Sequence, residues 1–186
     1  MGLTLLTPAA SYPVTRAESK LHCRVDGTAD DGLIDGLIAA ATDYVEQYTG
    51  RAIMGQTWKL SLDAFSESIL LPKGPVQSVT SVQYFDTNGD IQTASASLYT
   101  FDAASDPSWI VVNSDVSWPD TLDGVNAVNV TFVAGYSSVP AAIKQACLLL
   151  IGDWYRGREN TLIGTNQPME MPHAVTALLC NYRAYA

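Results

Sequence analysis

Residues 14–51 read VTRAESKLHCRVDGTADDGLIDGLIAAATDYVEQYTGR and predict two helices joined by an acidic turn. Thr15 and Glu18 have the spacing of a capping box, in which each side chain binds a backbone amide of the other residue, so a short helix should begin here. It should end near Arg24. An acidic turn over residues 26–30 then precedes the second helix.

The second helix is predicted by apolar residues that recur at helical spacing until Thr49 and Gly50 end it. These residues are Leu33, Ile34, Leu37, Ile38, Ala41, Tyr44, Val45 and Tyr48. One face of the helix is therefore apolar and should pack in a core.

This stretch, continued through residues 56–58, resembles the N-terminus of the head-tail connector (adaptor) proteins of long-tailed bacteriophages, prophages and gene transfer agents. The similarity extends along nearly the whole chain. LPKGPVQSVTSV at residues 71–82 is similar to the family's central strand motif, and VAGY at 133–136 with VP at 139–140 and IKQA at 143–146 is similar to its entry into the third helix. Trp154-Tyr155 with Arg158-Glu159, and a final helix ending near residues 182–183, complete the pattern.

Between these helices the apolar period changes from helical to alternating, which predicts strands. The predicted strands cover residues 57–63, 68–71, 76–85, 91–93, 97–101, 109–112 and 125–134. Asn88-Gly89 is a strong hairpin signal, because both central residues of the favoured turn need a positive φ. We expect a small antiparallel sheet, arranged as a sandwich or a partial barrel.

Pro140 can open a third helix, which follows apolar spacing up to Gly157. Residues 160–172 predict a loop, and residues 173–185 a last short helix. The expected fold is α+β: a helical bundle formed by the N- and C-terminal helices, with an antiparallel β insertion. We expect a single connector domain over 1–186, made of N-terminal helices (1–54), the β insertion (55–136) and C-terminal helices (137–186).

The 186 residues carry nineteen acidic and ten basic side chains, a formal charge of −9. Tight binding of phosphates requires clustered Lys and Arg, so this balance argues against DNA binding. Three widely spaced cysteines fit a reduced cytoplasm better than a disulfide framework. We find neither a signal peptide pattern nor an apolar run of the about 20 residues that span a bilayer, so we expect no membrane association.

Catalytic and metal-binding patterns are sought and not found. His22 beside Cys23 could be a ligand pair or a nucleophile, but adjacent helical residues point apart. His173 and Cys180 could share a helix face, yet paired zinc ligands are absent. Two acidic turns, at residues 26–30 and 86–90, lack the glycine and glutamate of a calcium loop. We therefore expect no catalytic residue, cofactor or metal.

Candidate interface residues are the aromatic and guanidinium side chains near the two C-terminal helix ends, because Trp, Tyr and Arg are enriched at interface hot spots. They are Trp154, Tyr155, Arg156, Arg158, Tyr182, Arg183 and Tyr185. For the residues at 154–158 an equal alternative is a helix end in which Trp154 packs in the core and the arginines lie near the negative pole of the helix dipole.

The family resemblance implies a structural function without catalysis. Such proteins form a ring, expected to be dodecameric, beneath the portal of the capsid; the ring extends the DNA tunnel and docks a stopper or tail terminator. We thus expect the chain in the particle neck after synthesis in the bacterial cytoplasm, with itself and the portal as partners. DNA should pass without specific binding.

Two further expectations concern particular segments. Residues 160–186 suit a portal-docking element that orders on binding, and its deletion should spare the fold. Asp26, Asp30, Asp31 and Asp35 are candidates for the tunnel wall. The alternative function is a small cytoplasmic enzyme or ligand-binding domain whose site is built from scattered Asp, Tyr and Arg.

Overall fold

The computed structural model describes residues 1–157 and 173–184. It has the expected α+β fold, with helices from both parts of the chain and two antiparallel sheets. The chain divides into two compact units. We call Met1–Ala10 with Met54–Ser137 the β unit, and Ser11–Ile53 with Ser138–Ala186 the helical unit. The division into 1–54, 55–136 and 137–186 stays a prediction.

The helical unit contains four described helices: α1 (Arg16–Cys23), α2 (Asp31–Thr49), α3 (Ala141–Arg156) and α4 (His173–Leu179), the last followed by a 3₁₀ turn at Cys180–Tyr182. The predicted capping box is confirmed, because the Thr15 amide donates to Glu18 Oε2 at 2.6 Å and the Glu18 amide to Thr15 Oγ1 at 3.2 Å. Arg24 ends α1 in the left-handed region, and Gly50 ends α2 in the same way.

The core of the helical unit is a narrower stripe of α2 than the apolar pattern predicts. Fully buried side chains are Ile34, Ile38, Ala41 and Val45 of α2, Ile143, Ala146, Cys147, Leu150 and Ile151 of α3, and Val175 and Leu179 of α4. Leu33 and Tyr44, at the edges of the predicted stripe, are exposed. Helix α1 approaches α3 closely at Gly152, where a Cβ would lie 3.0 Å from His22 Nε2.

The β unit contains eight strands: β1 (Gly2–Thr7), β2 (Gln56–Leu62), β3 (Ser68–Leu71), β4 (Val76–Phe85), β5 (Ile91–Thr93), β6 (Tyr99–Asp102), β7 (Ser108–Val112) and β8 (Val128–Ala134). One sheet has the order β1-β2-β8-β4-β5 and the other β3-β7-β6. Strand β1 was not predicted: it pairs antiparallel with β2 and falls in the β unit.

Strand β8 lies at the centre of the larger sheet, between β2 and β4. Its side chains alternate strictly, and every second one is buried: Val128, Val130, Phe132 and Ala134. This is the period of a strand with one face in a core. The smaller sheet contributes Ile69, Leu71 and Ile110 to the buried set.

The predicted hairpin between β4 and β5 is confirmed, but its turn is of another type. Only Gly89, and not Asn88, has a positive φ. The Gly89 amide donates to Asp86 O at 2.9 Å, and Asp86 Oδ1 accepts from the amides of Asn88 and Asp90. The Asp86 side chain thus organises a longer turn, which removes the need for a positive φ at Asn88.

Gly135, directly after β8, is required by close backbone packing within the β unit. Its φ is +130°, and a Cβ at this position would lie 2.2 Å from Met54 O. The Gly135 amide donates to Pro75 O, and Gln77 Nε2 donates to Gly135 O, both at 2.8 Å. Only glycine adopts this φ without strain and also lacks the Cβ that would clash with the backbone at Met54.

We expect Gly135→Ala to lower the free energy of unfolding by about 2–4 kcal/mol, since it adds both a strained φ and a backbone clash. Urea unfolding followed by circular dichroism measures this change. Gly55→Ala is the control, because a Cβ there meets nothing within 4 Å. Equal unfolding midpoints for the two variants would contradict the assignment.

Candidate functional site

Helices α1 and α2 are joined by a cluster of ion pairs on their facing sides. Arg16 Nε donates to Asp35 Oδ1 at 2.7 Å, and a second guanidinium nitrogen of Arg16 bonds Asp35 Oδ2. Lys20 Nζ lies 2.6 Å from Asp31 Oδ1 and 2.7 Å from Gly27 O. The two basic residues are one turn of α1 apart and the two carboxylates one turn of α2 apart, so both pairs can form where the two helices pack side by side.

These contacts change the acidity of two carboxyl groups. The side-chain hydrogen bond from Arg16 lowers the pKa of Asp35, and the charge of Arg16 adds to the effect. For Glu18, the backbone amide of Thr15 and then its hydroxyl hold the pKa below the usual value. Both groups are therefore ionised in the folded helices at neutral pH.

Three of the four carboxylates proposed for a tunnel wall have partners inside the helical unit. Asp31 and Asp35 pair with Lys20 and Arg16, and Asp30 Oδ2 accepts a hydrogen bond from Tyr155 Oη at 2.5 Å. Asp26 is exposed. The negative charges of Asp31 and Asp35 are thus compensated locally, while the place of all four carboxylates in a tunnel stays a prediction.

The aromatic residues near the end of α3 take part in packing. Trp154 is half-buried and meets Tyr44 edge to face, with ring centroids 6.0 Å apart. Tyr155 is also half-buried and reaches the start of α2 through Asp30. Arg156, in the last turn of α3, is exposed. The structure thus favours packing for the two aromatics and leaves Arg156 available to a partner.

The second candidate group lies beside the C-terminal end of α2. Arg51 Nε donates to Tyr182 O at 2.6 Å, and the Arg183 guanidinium stacks over the Tyr48 ring at 5.2 Å. Tyr182 is half-buried and Arg183 is exposed. Arg158 and Tyr185 lie outside the described residues. Whether these candidates form an interface stays a prediction.

Helix α4 belongs to the core of the helical unit. Val175 and Leu179 are fully buried, and the Ala184 amide donates to Thr49 O at 2.7 Å. This packing contradicts the expectation that deleting residues 160–186 spares the fold, because the deletion would expose the surface that α4 covers. The predicted loop at 160–172 lies outside the described residues.

Burial disfavours the thiolate form of two of the three cysteines. Burial raises the pKa of the Cys147 thiol to about 12, and burial also raises the pKa of Cys23. A raised pKa opposes the thiolate form that nucleophiles and metal ligands need. No group of three or more His, Cys, Asp or Glu side chains within residues 1–157 and 173–184 could hold a metal ion.

The distribution of charge between the two units was missed from the sequence. The β unit carries nine acidic residues against two basic ones, Lys59 and Lys73, a net charge of −7, whereas the helical unit carries ten against eight. No Lys, Arg or His occurs between Lys73 and Lys144. This stretch without basic residues is visible in the sequence, but a net charge summed over the whole chain does not reveal it.

The fold of this chain is similar to that of solved components of phage-like particles. It matches a chain of the neck of an empty GTA particle computed with C6 symmetry, with 25% identity, a TM-score of 0.79, and coverage of 100% of this chain and 97% of that one. A chain of the virion of the native gene transfer agent (GTA) particle matches at 24% identity and a TM-score of 0.77, and one of the native GTA neck computed with C12 symmetry at 23% and 0.75, with the same coverage.

The family model described as HCP, head completion protein, matches residues 14–185. The chain therefore belongs to the head completion protein family. No curated protein matches it significantly in sequence. The resemblance to connector proteins that the sequence indicated is confirmed. Among the described residues, no helix is both long and apolar enough to span a membrane.

The ion pair between Arg16 and Asp35 makes a testable contribution to the pH dependence of stability. Because the folded pKa of Asp35 is lowered, its contribution is present above the unfolded pKa and is lost as the pH falls through the folded pKa. We expect the stability difference between wild type and Asp35→Asn to be largest at neutral pH and low salt, and to be lost as the pH falls through the folded pKa of Asp35.

Urea unfolding at a series of pH values measures this difference. Asp43→Asn on the same helix is the control, because Asp43 Oδ2 accepts its hydrogen bond from the neutral Gln47 amide, at 2.7 Å. The same pH dependence in both variants would show that the Arg16 pair is not its source.

Proposed function

We propose that this protein is a connector (adaptor) subunit that forms a ring of twelve copies beneath the portal, extends the DNA tunnel and docks a stopper or tail terminator. The coarser part, a structural role at the head-tail junction, follows from membership of the head completion protein family over residues 14–185. That membership is the observation that carries the proposal.

The ring is supported by the symmetry of the neck structures that the chain resembles. Those particles were computed with C6 and C12 symmetry, and the chain matches their components over its full length. Head-to-tail contacts between copies close into a ring when the rotation between neighbours divides a circle. A subunit of such a ring needs two different contact surfaces.

Strand β1 supports an assembled state. It lies at the edge of its sheet, contains no charged residue, and exposes Leu5 and Leu6. Soluble proteins usually protect such edges with charges, proline or cover, because an open edge pairs with other chains. Assembly into a neck would cover this edge.

A role without catalysis is the simplest account of the described residues. The two thiols with raised pKa values do not favour nucleophilic chemistry. The carboxylates Asp31 and Asp35 are held in ion pairs. These contacts give a structural use to residues from which the alternative, a small enzyme, would build its site.

Ring formation is tested on assembled necks by electron microscopy and native mass spectrometry. We expect closed rings of this chain, and a twofold dimer as the only assembled form would count against the proposal. Within the ring, Arg156→Ala should weaken incorporation by about 10-fold or more, the effect of losing an interface hot spot.

Gln145→Ala is the matched control for Arg156→Ala, since both residues are exposed on α3. Both variants should keep the wild-type unfolding midpoint, because neither change removes a buried contact. Equal incorporation of the two variants would remove Arg156 from the interface.

The charge balance gives a separate prediction about DNA. A conduit that bound phosphates would hold the passing duplex, since each Lys or Arg contact releases counterions and adds affinity. We expect no appreciable duplex binding at physiological salt in a gel-shift assay of the assembled ring. Micromolar or tighter binding that weakens steeply with salt would contradict this.

A further inference from the structure

Three loops meet at one end of the β unit. Trp118 Nε1 donates to Ser66 O at 2.9 Å, the Leu122 amide donates to Phe85 O at 2.9 Å, and the Asn126 amide donates to Asp63 Oδ1 at 2.9 Å. These bonds tie the long connection at residues 113–127 to the loop at 63–67 and to the last residue of β4, which the loop at 86–90 follows directly. We call the three loops together the loop end.

Stacked aromatic rings fix the loop end in place. Phe65 and Trp118 are parallel, with centroids 4.3 Å apart, and Phe65 also contacts Tyr84 at 5.6 Å. Tyr99 stacks on the other side of the cluster, 5.8 Å from Trp118. Since Trp118 is held by both rings and by its hydrogen bond to Ser66, the long connection is anchored at its middle.

Around this anchor the loop end exposes apolar side chains. Val125 is 82% exposed, and Val116 and Leu122 are 42% and 41% exposed. Ile91, which pairs with Phe85 across the hairpin, is 64% exposed. Three of these aliphatic side chains lie on the anchored long connection and Ile91 directly follows the loop at 86–90, and several exposed aliphatic side chains at one end of a unit make it a candidate interaction surface.

The charge around these side chains indicates what covers them. The loop end carries seven carboxylates and no basic side chain: Asp63, Glu67, Asp86, Asp90, Asp115, Asp120 and Asp123. Anionic partners, such as DNA or an acidic membrane surface, would be repelled. A second copy would bring a net charge of −7 with its β unit or −2 with its helical unit, so neither unit as a whole carries the positive charge that would complement the surface.

We infer that the loop end docks a different protein, through a face of that protein that carries lysines beside an apolar contact. Paired charges of opposite sign would set the orientation, and the valines and Leu122 would supply the desolvated centre. This inference rests on the proposed function, in which the partner is a neighbouring component of the neck. It gives the β unit a role distinct from that of the helix ends.

The first test uses the purified full chain and nona-lysine as the probe. The triple variant Asp115→Asn, Asp120→Asn and Asp123→Asn should bind this peptide about tenfold more weakly than wild type in calorimetric titration at low salt. A triple variant of exposed carboxylates of the helical unit, Asp26→Asn, Asp43→Asn and Asp153→Asn, changes the net charge equally and should lose less than about twofold. Equal losses would overturn the inference.

The second test cross-links assembled particles with a carbodiimide. The reagent activates a carboxylate, and a lysine amine in contact displaces the urea to form an amide. We expect Asp115, Asp120 or Asp123 to be joined to lysines of another protein. Cross-links from these residues only to this chain's own lysines, or none while Asp43 and Asp153 react, would overturn the inference.

Val116→Ser with Val125→Ser should lower the yield of that cross-link without changing charge, because it removes only the apolar contact. An unchanged yield would refute the apolar part of the inference. The two tests separate this inference from the proposed function. A wild-type chain that never enters particles would refute the function, whereas equal peptide binding by the two triple variants would refute only the docking surface.

Discussion

The pairing of β8 with two neighbours is the constraint on which the β unit depends. Each of its residues from Val128 to Ala134 pairs with a residue of β2 and with a residue of β4, so the strand cannot shift without breaking both ladders. A shift of one residue would also turn the buried set of β8 to the opposite face of the sheet. Gly135 completes the constraint, because the backbone at Met54 occupies the space that any side chain there would need.

With the core provided by alternate strand residues, the connections are free to carry charge, and several of their carboxylates also shape turns. Asp63 holds Asn126, Asp86 holds the β4–β5 turn, and Asp102 accepts from the amides of Ala104 and Ser105. Hydrogen bonds to the ionised form lower the pKa of Asp86, first through Gln92, and that of Asp102, first through Ser105. The acidic character of this unit is therefore built into its loops.

Local signals in the sequence predicted local structure well. The capping box at Thr15 and the glycine end of α2 each depend on contacts within a few residues, so a single helix turn determines them. Strand β1 was missed because its partner β2 lies some fifty residues away, and no local pattern marks that pairing. The type of turn at Asn88 was predicted wrongly, because the Asp86 side chain accepts hydrogen bonds from the amides of Asn88 and Asp90. The dipeptide Asn88-Gly89 alone does not indicate these bonds.

The candidate interface was the hardest part to predict, because the same residue types serve packing and recognition. Trp154 and Tyr155 were chosen for their chemistry, yet each finds a partner within its own chain, whereas Arg156 remains exposed. Sequence identifies such residues but not the direction in which they point. The net charge of a segment, by contrast, can be read from the sequence, because a long run that contains carboxylates and no basic residue stays acidic however it folds.

This difference between the units bears on how one chain can hold two kinds of partner. In the helical unit, Arg16 and Lys20 neutralise Asp35 and Asp31, so the electrostatic field of this unit is weak at a distance. Contacts of this unit must therefore rely on shape and on exposed groups such as Arg156. The β unit carries nine carboxylates and only two lysines, so its negative field extends over about a Debye length. This field attracts positively charged partners and repels negatively charged ones before contact. In the proposed ring, copies of the chain would repel each other through their β units, and this repulsion would favour contacts between like subunits through the helical unit.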